Sequence, residues 1–226
     1  MTIRLDFGCG PNKKQVISGE PDQTPWIGVD KYAFDGKVDV VLDVTKRDSV
    51  PMGPAVYDNE KGCNVVAVME ANFTPWPWPD SSVDEAYSSH FVEHLTQIER
   101  CHFFNELHRI LKPDARALII VPHWSSGRAY GDPTHQWPAW SDMAAYYLKR
   151  EWRESQAPHT DAKNWPPGYS CDFEATWGYS FRNDAEFMCR ADAYKQYAMA
   201  NYRDVIQDCV MTVIAKKPAP AAEPPA

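Results

Sequence analysis

No two of the six cysteines stand in a CxxC pair, which excludes a zinc knuckle and a thioredoxin-type redox motif. Cys9, Cys63, Cys101, Cys171, Cys189 and Cys209 are scattered along 226 residues. The chain opens with MTIRLDFGCG, where no basic stretch precedes an apolar one, so neither an export signal nor a disulfide framework is expected. A reducing, cytoplasmic setting is the expectation. Long apolar runs are missing too. The longest are strand-sized, such as Ala117 to Val121, so no segment is expected to span a membrane. Positive charge is in short supply, with 23 Lys and Arg against 31 Asp and Glu and a net charge of -8. That balance argues against broad electrostatic binding to nucleic acid and leaves room only for a local basic groove.

What is present has the texture of one α/β domain, expected over residues 1–216. The last ten residues, KPAPAAEPPA, are rich in Pro and Ala and are expected to form a disordered tail over 217–226. Strands are expected at Ile3 to Phe7, Trp26 to Val29, Val38 to Val44, Val65 to Met69, Val83 to Ser88 and Ala117 to Val121. Continuous apolar runs of this kind suit parallel strands buried on both faces. Between the last two, Thr96 and Glu99 form a capping box. Ile98, Cys101, Phe104, Leu107 and Leu111 then recur at helical spacing until Pro113. Strand, helix, strand in that order makes a parallel crossover. Later segments read as a loop over 123–140, a helix from Ser141 to Trp152, and a strand from Phe173 to Phe181. A helix over 183–204 and a last strand from Cys209 to Ala215 follow.

The first strand runs into Gly8-Cys9-Gly10, and Asp30 ends the second strand. Glycines allow a sharp turn and a close ligand approach. An acidic side chain after the second strand can accept from both hydroxyls of a ribose. Each feature alone also suits a plain βα turn and a surface cap. Together they favour a nucleoside-containing cofactor. A dinucleotide fingerprint wants a third glycine, and Lys13 stands there, which points away from NAD.

LDFGCGPNK at 5–13 resembles motif I of the class I S-adenosylmethionine-dependent methyltransferases. GVDKY at 28–32 resembles their ribose-binding turn. PWPDSSVDEAYSSHFVEHL at 77–95 and ELHRILKPDARALIIVP at 106–122 are similar to their fourth strand, following helix and fifth strand. The loop HWSSGRAYGDPTHQW at 123–137 is similar to one found in a methyltransferase-11-like subgroup with short N-termini. The resemblance implies a Rossmann-like α/β fold: a mostly parallel seven-stranded sheet with an antiparallel edge strand and helices on both faces. It implies S-adenosylmethionine as cofactor. By position, Asp6, Gly8, Cys9 and Gly10 would line its methionine end, and Asp30 with Lys31 its ribose. Glu70, next to Ala71, or alternatively Asp43, would meet the adenine, and Ser89 and His90 would sit beside the sulfonium. The chain departs from the pattern in three places. No helix precedes the first strand, the first crossover carries Pro11, Gly19, Pro21 and Pro25, and residues 45–64 look inserted.

His90-Phe91-Val92-Glu93-His94 also spells a zinc-peptidase pattern. That pattern needs both histidines on one helical face and a third ligand, so it reads as a cofactor-side turn, and no metal is expected. On the acceptor side, His123, His135, Asp132 and Tyr130 are the catalytic candidates, since histidine can take a proton from a hydroxyl or amine near neutrality. Loop histidines satisfied by the backbone are the plainer alternative. Six of the nine tryptophans fall between Trp124 and Trp177. Residues 124–180 are therefore expected to cover a small-molecule substrate that is aromatic or amine-bearing, or else to pack an irregular region. No DPPY-like tetrapeptide and no Pro-Cys nucleophile follow the fourth strand, which lowers a nucleic-acid substrate. A nucleic-acid or protein methyltransferase, and a non-catalytic cofactor-binding module acting with a partner, are the alternatives. Spacing alone sets no oligomeric state.

Overall fold

The computed structural model describes residues 2–17, 21–46, 56–58, 63–65, 73–136, 139–160, 162, 168–182 and 185–217. Nine strands lie among them: β1 (Arg4–Phe7), β2 (Ile27–Asp30), β3 (Val40–Val41), β4 (Val56–Asp58), β5 (Cys63–Val65), β6 (Val83–Ser89), β7 (Leu111–Pro122), β8 (Phe173–Phe181) and β9 (Ile206–Ala215). Seven form one sheet in the order β3-β2-β1-β6-β7-β9-β8. The pairs β2–β3, β1–β2, β1–β6 and β6–β7 are parallel. β9 runs antiparallel to both β7 and β8, so the antiparallel strand sits one place in from the edge. The fold is Rossmann-like, with helices on both faces of the sheet. Among the described residues no helix is long and apolar enough to cross a membrane.

The crossover from β6 to β7 is made by α1 (Gln97–Ile110), and its capping box is complete. Glu99 Oε2 accepts from the Thr96 amide at 2.8 Å, and Thr96 Oγ1 accepts from the Glu99 amide at 3.5 Å. The buried face carries Phe103, Phe104, Leu107 and Ile110, rotated slightly from the expected stripe, with Ile98 and Cys101 only partly buried. Phe103 is wholly buried and meets Phe7, Trp76, Phe91 and Phe104 at ring separations of 5.3 to 5.9 Å.

Four expected elements come out differently. The third strand shrinks from Val38–Val44 to Val40–Val41. Asp39 turns back to accept from the Gly28 amide, and Asp43 accepts from the Thr45 amide and hydroxyl. Such local side-chain bonds compete with strand pairing. Cys63–Val65 joins no main-sheet strand but pairs antiparallel with Val56–Asp58; residues 66–69 lie outside the described residues. The helix from Ser141 to Trp152 is two pieces, α2 (Met143–Tyr146) and α3 (Arg150–Ser155), with Asp142 as the cap. Between them the Leu148 carbonyl accepts from the Phe173 amide, and Arg153 donates to the carbonyls of Tyr147 and Cys171. The helix over 183–204 is also split, into α4 (Ala185–Met188) and α5 (Asp192–Asn201), because Ala191 takes an extended conformation. Lys217, expected to open the tail, donates to the carbonyls of Arg109 and Leu111 at the end of α1. Residues 218–226 lie outside the described residues.

Candidate cofactor and active site

The carboxyl ends of β1, β2 and β3 open onto a cavity of about 310 Å³. Ligands of open α/β sheets bind at this edge. Gly8, Val29, Asp30, Lys31, Leu42 and Asp43 form one side, and Phe91, His94 and Leu95 come from the segment after β6. Gly8 and Gly10 have φ of +67° and +52°, a region costly for other residues. The two glycines serve different ends. A Cβ on Gly8 would stand 2.4 Å from the Phe91 ring, whereas one on Gly10 would meet nothing within 4 Å. Gly8 lets the aromatic wall close in, and Gly10 keeps space open.

Asp30 braces this turn. Its Oδ2 accepts from the Gly10 amide and its Oδ1 from the Tyr32 amide, both at 3.0 Å. Each oxygen retains a further lone pair. Across the cavity, Asp43 Oδ1 takes the Thr45 hydroxyl at 2.7 Å, and Oδ2 pairs with Lys31 Nζ at 3.0 Å. Burial works against the Asp43 charge, but the bonds from Thr45 and Lys31 outweigh it and hold the carboxyl below its ordinary pKa. Asp6 lies beneath, only 2% exposed, and accepts from the Lys14 amide at 2.7 Å. Burial pushes its pKa up to about 6, against the pull of that amide. Cys9 is buried beside it, its thiol raised to about 11 by burial and then by Asp6. Carboxylates, open space at Gly10 and apolar walls from Leu42, Val44, Phe91 and Leu95 together fit a nucleoside with an amino-acid arm. Glu70 and Ala71 lie outside the described residues.

β6 ends at Ser89, and His90 follows in the left-handed region at φ +53°, which is uncommon for a residue with a Cβ. Its ring is 38% exposed and lies between two carboxylates, with Glu93 Oε1 at 3.4 Å and Asp208 Oδ1 at 3.9 Å. Asp208 on β9 is held by Arg128 and by the Ser180 hydroxyl. The four expected acceptor-side residues part company here. His123 is buried, and its Nδ1 accepts from the Ser125 amide at 3.3 Å; burial lowers its pKa. Tyr130 donates its hydroxyl to the Trp124 carbonyl. Asp132 accepts from the Thr134 amide and hydroxyl, bonds that lower its pKa. His135 stands edge-on to His94 at 4.8 Å, and His94 lines the cavity. Asp132 and His135 thus approach the cofactor edge through Thr134 and His94, while His123 and Tyr130 are engaged by their own loop.

Two residues at the site were passed over at the level of sequence, Thr45 in the cavity lining and Asp208 beside His90. Thr45 carried a signal in the Asp-x-Thr spacing of an Asx turn. Asp208 carried none, since a late antiparallel strand brings it to His90. Of the expected aromatic cover, Trp140 is 3% exposed and belongs to the core, whereas Trp124 and Tyr130 are 44% and 48% exposed. Trp137, Asp161 and Trp165 lie outside the described residues.

A family model described as a methyltransferase domain matches residues 36–119. The chain is similar in structure to an S-adenosylmethionine-dependent methyltransferase from Archaeoglobus fulgidus, with 19% identity, a TM-score of 0.55 and coverage of 96% of this chain and 86% of that one. It is also similar to a chain of the complex between the Haloferax volcanii Trm112 methyltransferase activator and a methyltransferase. There the identity is 14%, the TM-score 0.51, and the coverage 97% of this chain and 84% of that one. At such identities the likeness speaks for the fold. No curated protein matches the sequence. Sheet topology and the matched segment agree on the fold: this chain has the Rossmann-like fold of the proteins it resembles, and residues 36–119 are similar to a methyltransferase domain.

Proposed function

We propose that residues 1–216 act as one domain that transfers a methyl group from S-adenosylmethionine to a small-molecule acceptor. The observation that carries this reading is the cavity where the Gly8–Gly10 turn, Asp30 and Asp43 converge. In this reading Asp30 accepts from the ribose hydroxyls with its remaining lone pairs. Asp43, rather than Glu70, meets the adenine edge, with Leu42, Val44 and Phe91 against its faces. Asp6, Gly8, Cys9 and Gly10 hold the methionine arm, with the Asp6 charge near its ammonium. Ser89 and His90 flank the reacting end. The bound cofactor supplies a methyl group already activated by a positive sulfur. The protein's task is then to align the acceptor and exclude water.

Two observations favour a small molecule over a nucleic acid. The chain carries 23 Lys and Arg against 31 Asp and Glu, which leaves a polyanion little to bind at the acceptor-side edge. Trp124 and Tyr130 leave exposed aromatic surface beside it, suited to a planar or amine-bearing acceptor.

Calorimetric titration with S-adenosylhomocysteine, with NAD as comparison, tests the cofactor half. The wild type is expected to bind the first and not the second. Asp30→Asn removes the charge and one of the two oxygens that accept from the Gly10 and Tyr32 amides, and should weaken binding by about tenfold or more. Unchanged affinity in that variant would sink the assignment of the cavity. For the acceptor half, Trp124→Ala should raise KM in an acceptor screen with little change in kcat. Methylation of an oligonucleotide but of no small molecule in the same screen would replace the small-molecule reading.

A further inference from the structure

Glu93 poses a physical problem. Its side chain is 6% exposed, and neither carboxylate oxygen has a hydrogen-bond partner. A buried carboxylate is costly unless donors or a cation compensate it. His90 Nδ1 lies 3.4 Å from Oε1 without making such a bond. Arg100 on α1 donates to the Glu93 main-chain oxygen, not to its carboxylate. Two imidazoles meet the same carboxylate: one ligand atom each from Glu93, His94 and His135 lies within 4.8 Å of the others.

The hydrogen bonds around both rings define their neutral form. Thr134 donates its only hydroxyl proton to Asp132 Oδ1 at 2.7 Å. Its 2.9 Å contact with His94 Nδ1 therefore has the imidazole donating. His135 Nδ1 faces the Ala129 carbonyl at 3.2 Å, which can only accept. Both neutral rings hold their proton on Nδ1 and keep a lone pair on Nε2. Hydroxyl, carboxylate and carbonyl partners on the far nitrogen are what orient histidines that ligate metals.

We infer that Glu93, His94 and His135 bind a divalent transition-metal cation. Two imidazoles and one carboxylate suit zinc, cobalt, manganese or iron better than magnesium or calcium, which prefer oxygen. Bonds of about 2.1 Å space tetrahedral ligands roughly 3.4 Å apart, so modest side-chain rotations close the site. Glu93 and His94 sit on a one-turn 3₁₀ helix (Val92–His94), and His135 on the loop after β7. This is not the zinc-peptidase arrangement: His90 faces Glu93 instead of sharing the centre, and the third ligand comes from the distant loop. Three protein ligands leave a position open. His94 also lines the cofactor cavity, so an acceptor oxygen is the natural fourth ligand; that last step rests on the proposed methyl transfer, while metal binding does not.

The test is titration of the metal-stripped full chain with Co²⁺ alone, read by visible absorption, and with Zn²⁺ by calorimetry. One equivalent is expected to bind. His135→Ala, on a surface loop, should weaken binding by about tenfold or more, with circular dichroism and melting confirming that it folds. Glu93→Gln, nearly isosteric, should do the same. Absence of Co²⁺ binding in the wild type, or equal affinity in a folded His135→Ala protein, would overturn the site. Titration of the wild type with S-adenosylhomocysteine reads the cofactor cavity separately, and its failure would leave the metal result standing.

Discussion

Two of the parallel crossovers of this sheet, β1 to β2 and β6 to β7, are built on opposite principles. Between β6 and β7, α1 buries Phe103, Phe104, Leu107 and Ile110 against the core. Between β1 and β2, no helix forms among the described residues, and polar side chains hold the chain instead. The Lys14 amide bonds Asp6, the Gly10 amide bonds Asp30, and the Gly28 amide bonds Asp39. Arg4 reaches the Asp22 and Thr24 carbonyls while lying over Trp26 at 4.3 Å. The lesson concerns where charge is used. One half stabilises itself by apolar burial. The other places carboxylates on backbone amides around the space where the cofactor is proposed to sit, so the groups that shape the turn are also the groups proposed to recognise it.

The largest expected effect lies in the apolar half. Phe103→Ala removes a wholly buried ring that touches four other aromatic side chains. Such truncations cost about 3–5 kcal/mol, enough to unfold a marginal domain. Chemical denaturation should report a loss in that range. A loss under about 1 kcal/mol would mean that α1 is not the centre of the core.

The same division explains what the sequence discloses. Helical spacing and the Thr96/Glu99 box reveal α1, and alternation reveals β8 from Phe173 to Phe181, because apolar burial leaves a periodic trace. Polar bracing leaves none. Nothing periodic marks Asp39 turning to Gly28, and that bond is part of why β3 is short. The Gly10–Asp30 pair was legible through its spacing, and the structure joins the two by a hydrogen bond. The grouping of Glu93, His94 and His135 was not, since it depends on how the loop after β7 folds back. The broken helix over 141–152 was missed for a tertiary reason, the Leu148 carbonyl bonding the Phe173 amide.

Asp6 allows a smaller and opposite effect. Its folded pKa, about 6, stands above the ordinary 3.8, so its ionisation destabilises the fold. Below about pH 3 both states are protonated and the penalty is absent. It grows as pH rises toward 6 and is complete above that. Asp6→Asn should therefore stabilise the protein at pH 7.5, by at most about 3 kcal/mol, with most of the gain gone near pH 4. Thermal melts at the two pH values read it. The same variant should weaken S-adenosylhomocysteine binding if the charge meets the methionine ammonium. A stability gain without that loss would leave Asp6 outside the cofactor site.

The smallest effect separates charge from bracing within the polar half. Lys13 Nζ pairs with Asp39 Oδ2 at 2.7 Å, and the two side chains are 27% and 44% exposed. Exposed pairs of this kind contribute under about 1 kcal/mol and are screened by salt. Lys13→Met should cost no more than that, and the difference from wild type should vanish in concentrated NaCl. Asp39→Ala removes more, because the Gly28 amide then loses the carboxylate that accepts from it at 2.7 Å. Its cost should exceed that of Lys13→Met and persist in salt. If both variants are equally weak and equally salt-sensitive, the carboxylates serve only as surface charge, and the polar half must draw its stability from Trp26 and the strand ladder.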